Sequence, residues 1–310
     1  MTSRSWCRCG SRPTNCADMN RIVILALVVL AALPGERIVA QDAPVRTVMT
    51  GSAFVYAVRA GDTLRTIGAR FGVSASALVP LGVKRSGPLV EGEWFFVDNR
   101  HIAVLDGRAQ ITINLAQRML YFVDGDALDS YPVAVGTRKW PTPVGEFTVV
   151  DKEENPTWDV PLSIQEEMRR QGRTVVTQVP PSPQNPLGAH WIRLSFASLG
   201  IHGTIAPASI YSFASHGCIR MHADDVAQLF ERVDVGTTGV ITYQPVLIAM
   251  IDDRVYVEAH PDVYRRARAP MAAVRAFADR HGFAGMVEWP AVADVLRQQA
   301  GIPADVTKDR

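Results

Sequence analysis

Apolar positions change their period several times along the chain, and each change marks a different kind of element. The one continuously apolar run is Ile22 to Leu33, IVILALVVLAAL. Its twelve residues would span about 18 Å as a helix, short of a bilayer core of about 30 Å. From Phe54 the texture becomes that of a compact unit over 54–98. FVYAV alternates as a strand does, Gly61-Asp62 marks a turn, and Leu64, Ile67 and Phe71 fall on one helical face. A second short helix over Ala75 to Leu81 and a strand over Trp94 to Val97 complete a βααβ pattern. Between Arg108 and Tyr243 short alternating segments are separated by Gly and Pro: ITINLAQRMLYFV, SYPVAVG, GEFTVV, HWIRLSF and GVITY. That spacing predicts a mainly β, sandwich-like or barrel-like sheet rather than alternating βαβ units. Six prolines between Asn155 and Leu187 interrupt it, which predicts a long ordered loop or flap with one short helix over Ile164 to Gln171. The remainder, 245–310, reads as an α/β extension: a hairpin over LIAMIDDRVYVEAHPDVY, then helices over Met271 to His281 and Ala291 to Gln299.

The flanks of the apolar run give it a role. Arg21 precedes it, Pro34 and Gly35 follow, and Ile38-Val39-Ala40 offers a small-residue cleavage site, so residues 1–40 read as a signal peptide, with Met19 as the more ordinary start. An exported, periplasmic protein without a membrane span is the expectation. The whole chain carries Lys+Arg 32 against Asp+Glu 31, and removing the five basic and two acidic residues of the leader moves the net charge from +1 to −2. Neither value drives binding to nucleic acid.

Processing also changes the cysteine count. Cys7, Cys9 and Cys16 lie before the apolar run, so Cys218 alone remains, unable to form an internal disulfide and a candidate reactive thiol. Around it, GIHGTIAPASIYSFASHGCIRMHADDVAQLF brings His202, His216 and Arg220 close in sequence. An imidazole or a cation raises the thiolate fraction of a thiol, which suits acyl transfer, and from spacing alone either histidine could be the base. Gly217 removes a side chain beside the sulfur, which lets the N–H groups of Gly217 and Cys218 approach a developing oxyanion. Val226, Leu229, Phe230 and Val233 recur at helical spacing, so a helix starts near Asp224, with Asp224 and Asp225 as helix-start residues. Zinc held by His202, His216, Cys218 and His222 is a rival reading, disfavoured by the absence of CxxC or HExxH spacing and by the charge of Arg220. An inert buried cysteine is another. His101, His190, His260 and His281 have no chemistry near them in sequence.

Two resemblances sharpen these readings. YAVRAGDTLRTIGARFGVSASAL followed by LVEGEWFFV resembles the LysM module, which implies peptidoglycan glycan binding by residues 54–100; a ligand-free spacer is the alternative. HGT followed by SHGCIRM, with TPVGEFTV and NPLGAHWIRL, resembles the catalytic domain of the L,D-transpeptidases of the YkuD type, here over 108–244. The resemblance implies Cys218 as nucleophile and His202 as general base. It implies His216, Gly217, Arg220 and Gly203 at the oxyanion and substrate-binding surface, with no cofactor and no metal. The module order resembles the periplasmic Gram-negative subgroup. The implied reaction is ping-pong: Cys218 attacks the diaminopimelate carbonyl of a tetrapeptide stem, D-alanine leaves, and an amine resolves the thioester. The acceptor is a second stem, giving a 3–3 crosslink, or a lysine of an outer-membrane lipoprotein; hydrolysis by water, a carboxypeptidase outcome, and a non-catalytic wall-binding protein are the alternatives. The chain has no SxxK, so a serine D,D-transpeptidase mechanism has no nucleophile here.

Overall fold

The computed structural model describes residues 45–82 and 87–309. The expected signal peptide over 1–40, with Met19, Cys7, Cys9 and Cys16, lies outside them. Among the described residues, no helix is long and apolar enough to cross a membrane.

In the first unit, helix α1 (Leu64–Phe71) begins at Thr63. The Thr63 hydroxyl accepts from the Thr66 N–H while the Thr66 hydroxyl accepts from the Thr63 N–H, a reciprocal cap for two otherwise unpaired donors. The helix stops at Gly72, whose φ of 70° is left-handed. Ile67 enters a small core with Val58, Val73, Leu78, Phe95 and Val97, and Phe71 packs at its edge. Leu64, expected on that face, is instead exposed. The second predicted helix is also absent: Ala75–Ala77 forms one 3-10 turn and Val79–Leu81 is a strand. Pro80 explains this, because a helix interior cannot accommodate its ring, whereas an edge strand can do without its N–H. The strands order as Ala53–Ala57, Trp94–Asp98, Val79–Leu81, which puts Pro80 on that edge.

The central unit is one eight-stranded mixed sheet, so the mainly β expectation holds. Its order is Ile219–Arg220, Gly200–His202, His190–Leu194, Gly145–Glu154, Thr238–Thr242, Ile111–Asn114, Met119–Asp124 and Ala127–Pro132. Two neighbouring pairs run parallel: Gly200–His202 with Ile219–Arg220, and Thr238–Thr242 with Ile111–Asn114. Alternate strand residues such as Ile111, Ile113, Phe147, Val149, Ile192, Leu194 and Ile201 build the core. Helix α3 (Ala223–Arg232) seals it with Val226, Leu229 and Phe230, the periodic face read from sequence. The proline-rich segment carries helix α2 (Leu162–Arg170), and Trp158–Asp159 pairs with Gln178–Val179 at its base.

The C-terminal part follows the predicted pattern. Strands Val246–Ile251 and Arg254–Ala259 turn through Asp252 and Asp253, both at positive φ as a two-residue I′ hairpin requires. Helices α4 (Pro270–Arg280) and α5 (Trp289–Gln298) cover that hairpin through Val274, Phe277 and Val292.

A single buried carboxylate ties the parts together. Glu258 Oε1 accepts from His101 Nδ1 (2.8 Å), His260 Nε2 (2.6 Å) and Gln117 Nε2 (2.9 Å), and its Oε2 accepts from the Ile102 N–H (2.6 Å). His101 Nε2 reaches the Gly72 carbonyl at 2.9 Å, so both of its ring nitrogens face acceptors. Burial opposes ionisation of Glu258, but the charge and hydrogen bond of His101, with the hydrogen bond from His260, outweigh it and hold the carboxyl down at about 2. His101 and His260, unremarkable in sequence, are therefore structural. Glu258→Gln keeps the shape and removes the charge. It is expected to cost on the order of 3–5 kcal/mol of unfolding free energy in a urea titration at neutral pH. A loss below about 1 kcal/mol would show that the network carries little of the assembly.

Candidate active site

Cys218 sits in the turn that leads into the strand Ile219–Arg220. That strand pairs in parallel with Gly200–His202, in the register Ile201 to Ile219 and His202 to Arg220. The sixteen-residue separation of His202 and Cys218 is thereby closed by two backbone pairings. Gly200 permits the geometry, since a Cβ there would lie 2.4 Å from the Trp191 ring, and that ring packs 5.7 Å from the His202 imidazole. Gly203 is equally confined, a Cβ there falling 3.3 Å from the Leu187 carbonyl oxygen.

His202 is 4% exposed and its Nδ1 is buried without a hydrogen-bond partner. Burial first, and then the charge of Arg220, push its pKa down to about 3, although the carbonyls of Gly203 and Leu187 favour the protonated ring. The imidazole is a neutral base with a free position. Burial likewise pushes the Cys218 thiol above its ordinary range, against the opposing influence of the Gly200 backbone and Arg220. Its Sγ lies 3.7 Å from the Ser198 carbonyl, a weak acceptor for S–H. Thiol and neutral imidazole, rather than thiolate and imidazolium, form the resting pair.

The turn is held from several sides. Gly217 adopts φ 119°, a conformation costly for any residue with a Cβ. Its N–H donates to the Ser215 hydroxyl (3.1 Å), which itself donates to the Cys218 carbonyl at 2.5 Å. This corrects the expectation that the Gly217 N–H faces an oxyanion: a local side-chain acceptor has already taken it. The Gly217 carbonyl accepts from Thr142 Oγ1 at 2.6 Å, and Thr142 Oγ1 accepts from the Gly136 N–H at 2.9 Å. Tyr264 completes the brace, donating its hydroxyl to the Gly136 carbonyl (2.7 Å) and accepting from the Thr142 N–H (3.2 Å). The C-terminal segment thus supports the turn that carries the sulfur.

Arg220 is largely buried, and among the described residues no carboxylate lies within 4.0 Å of it. Its backbone bonds Ala134 in both directions at 2.9 Å, which fixes where the guanidinium starts. An unpaired, partly desolvated guanidinium beside a thiol is a ready partner for a carboxylate. His216 turns to the flap: its Nε2 meets Glu167 Oε2 of α2 at 2.7 Å, and the Trp140 ring lies 5.6 Å away. The hydrogen bond from His216 holds the Glu167 carboxyl below its usual range against a small desolvation cost.

The four residues of the zinc reading do not form a cage. His222, at the start of α3, places its Nε2 3.0 Å from the Ala69 carbonyl, while His216 is engaged with Glu167. Asp224 and Asp225 occupy the first turn of α3 and face Arg70 of α1, at 2.8 Å and 3.5 Å, as helix-start residues. Among the described residues, His101, Glu258 and His260 alone bring three possible ligand atoms within 4.8 Å of one another, and the facing atoms already bond each other. Sequence reasoning missed Ser215, Glu167 and Tyr264. Thr142 and Ser215 lay within the quoted motifs and Tyr264 at the end of the quoted hairpin run, but none was given a role there.

A buried neutral imidazole and a thiol on paired strand ends, with a free guanidinium alongside, can attack a carbonyl and move its proton: the equipment of a cysteine acyltransferase. The comparisons are specific. The profile of the YkuD L,D-transpeptidase catalytic domain matches residues 108–248. A Bacillus subtilis protein named as an L,D-transpeptidase, YkuD, is 33% identical over 194 residues, covering 60% of this chain and 97% of that protein. An Escherichia coli relative named as an L,D-transpeptidase, ErfK/SrfK, is 35% identical over 142 residues, or 45% of this chain and 46% of its own length. A solved L,D-transpeptidase from Mycobacterium smegmatis aligns over 62% of this chain and 82% of its own at 21% identity, with a TM-score of 0.34. The chain belongs to the L,D-transpeptidases of the YkuD type and is an enzyme of that class, a family that acts on peptidoglycan stem peptides.

Because burial raises the Cys218 thiol, thiolate accumulates only as pH climbs beyond the ordinary thiol range. Iodoacetamide labelling of Cys218 is expected to accelerate steadily from about pH 6 to about pH 10, with no acidic plateau. A rate already maximal near pH 6 would mean a thiolate–imidazolium pair and contradict the site as described.

Proposed function

We propose that Cys218 is the nucleophile and His202 the general base of a peptidoglycan L,D-transpeptidase. The observation that carries this reading is the buried, unpartnered Nδ1 of His202 on the strand paired with the one leading from Cys218. The thiol proton passes to His202 as sulfur attacks the diaminopimelate carbonyl of a tetrapeptide stem. The imidazolium returns that proton to the departing D-alanine amine, leaving a thioester on Cys218. An acceptor amine then attacks the thioester, gives up a proton to His202, and restores the thiol. The acceptor is a second stem or a lipoprotein lysine.

Arg220 receives the terminal carboxylate of the D-alanine, which explains why a guanidinium is kept free of protein carboxylates. His216 and Gly203 shape the substrate-binding surface, His216 with its ring steadied by Glu167; Gly217 supplies the turn geometry. Residues 54–100 act as a LysM module that retains the enzyme on glycan strands. The leader over 1–40 delivers it to the periplasm. The 245–310 extension braces the nucleophile turn through Tyr264.

Incubation with tetrapeptide stem and no acceptor is expected to add the mass of the stem minus D-alanine to Cys218, and Cys218→Ala is expected to abolish it. A pentapeptide carries its carboxylate one residue too far out and should give at least tenfold less adduct. Arg220→Gln should erase that preference while leaving labelling by iodoacetamide intact. Adduct in Cys218→Ala would remove the nucleophile assignment, and equal adduct from both stems would remove the carboxylate role of Arg220.

A further inference from the structure

A second guanidinium is stranded far more completely than Arg220. Arg118 lies in the turn between Ile111–Asn114 and Met119–Asp124, at φ 60°, with its N–H fixed to the Asn114 carbonyl at 2.9 Å. Its side chain is carried inward, to 7% exposure, over the Tyr211 ring at 4.1 Å and near the Phe213 ring at 5.6 Å. Nε is buried without an acceptor, and among the described residues no carboxylate lies within 4.0 Å of the guanidinium. The contrast is plain, since Arg70, Arg100, Arg193, Arg232 and Arg254 each pair with an aspartate. Stacking on a ring face satisfies part of the charge but leaves the in-plane N–H donors unspent.

Arg118 borders a cavity of about 220 Å³ where α1 meets the segment Ala208–Ser212. Arg65, Ser74, Tyr211 and Ser212 share its wall, and no acidic side chain does. Arg65 is anchored by its Nε to the Ala208 carbonyl at 2.9 Å, and the buried Tyr211 hydroxyl has no partner. Two cations, Arg118 and Arg65, thus border one space, and Arg118 is more than nine-tenths buried.

We propose that Arg118 and Arg65 form an oxyanion-binding pocket separate from Cys218. Its occupant is a carboxylate or phosphate on a short stem, lodged against Arg118 and bridging α1 to the central unit. A peptide carboxylate and a phosphate ester are two sources of the same chemistry. Binding neutralises the stranded charge and clamps the first unit against the second. The pocket makes no use of Cys218, so it stands or falls independently of the catalytic reading.

The test uses the full chain with Cys218→Ala, which removes turnover. Inorganic phosphate and glutarate are titrated separately at constant ionic strength while the melting temperature is followed. A saturable rise is expected with at least one, and the anion that saturates at lower concentration names the source. Arg118→Gln should weaken that apparent affinity by at least roughly tenfold, and the exposed Arg65→Gln by a smaller factor. Should Arg118→Gln fail to fold, Arg65→Gln and the Arg118 Nε–H resonance of the Cys218→Ala protein carry the test, since an anion in this pocket must shift that resonance. Absence of saturation with both anions, saturation unchanged in Arg118→Gln, or, where that variant does not fold, an Nε–H resonance unmoved by anion would overturn the proposal.

Discussion

Two backbone pairings, Ile201 with Ile219 and His202 with Arg220, decide the chemistry of the centre. A parallel ladder this short has little strength of its own. It survives because both neighbours are occupied: Ile201 and Ile219 are wholly buried in the core, Met221 N–H reaches the His202 carbonyl at 2.9 Å, and Arg220 is stitched to Ala134. The pairing holds an imidazole, a guanidinium and a thiol on adjacent strand ends. Burial pushes the pKa of the His202 imidazole down and that of the Cys218 thiol up, which favours the neutral form of both.

Around that centre, support converges from distant parts of the chain. Glu258 fastens the hairpin of the C-terminal part to Ile102, His101 and Gln117, and through His101 to the end of α1. Tyr264, a few residues on, braces Thr142 and so Gly217. The C-terminal segment thus supports the turn that carries Cys218. A buried carboxylate in this position specifies one arrangement of the parts, since any slip would leave it ionised and unpartnered.

How much of this was legible in the sequence follows from the range of the interactions. Periodicity over ten residues located α3, and the run LIAMIDDRVYVEAHPDVY marked the C-terminal hairpin, because those signals are local. The cluster of Cys218, His202, His216 and Arg220 could be read because seventeen residues contain the proposed pair, His202 and Cys218. The second helix of the first unit was misread where Pro80 overrode a weak helical pattern. Gly217 was given a free N–H because Ser215, two residues away, is a common residue whose hydroxyl can turn either way. His101 and Glu258 are 157 residues apart, and Glu167 and His216 are 49 apart. Neither pairing leaves a trace in spacing; each exists only once the sheet and flap have brought the backbones together.

In the proposed mechanism His202 is a neutral base on the strand paired with the one leading from a protonated Cys218 thiol. The most direct test is an NMR titration of the His202 ring in the intact, unliganded enzyme from about pH 5 to about pH 8. The account predicts a single neutral tautomer throughout, with Nδ1 unprotonated and no titration in that range. An imidazolium signal at neutral pH that disappears in Cys218→Ala would reveal a pre-formed ion pair and contradict it.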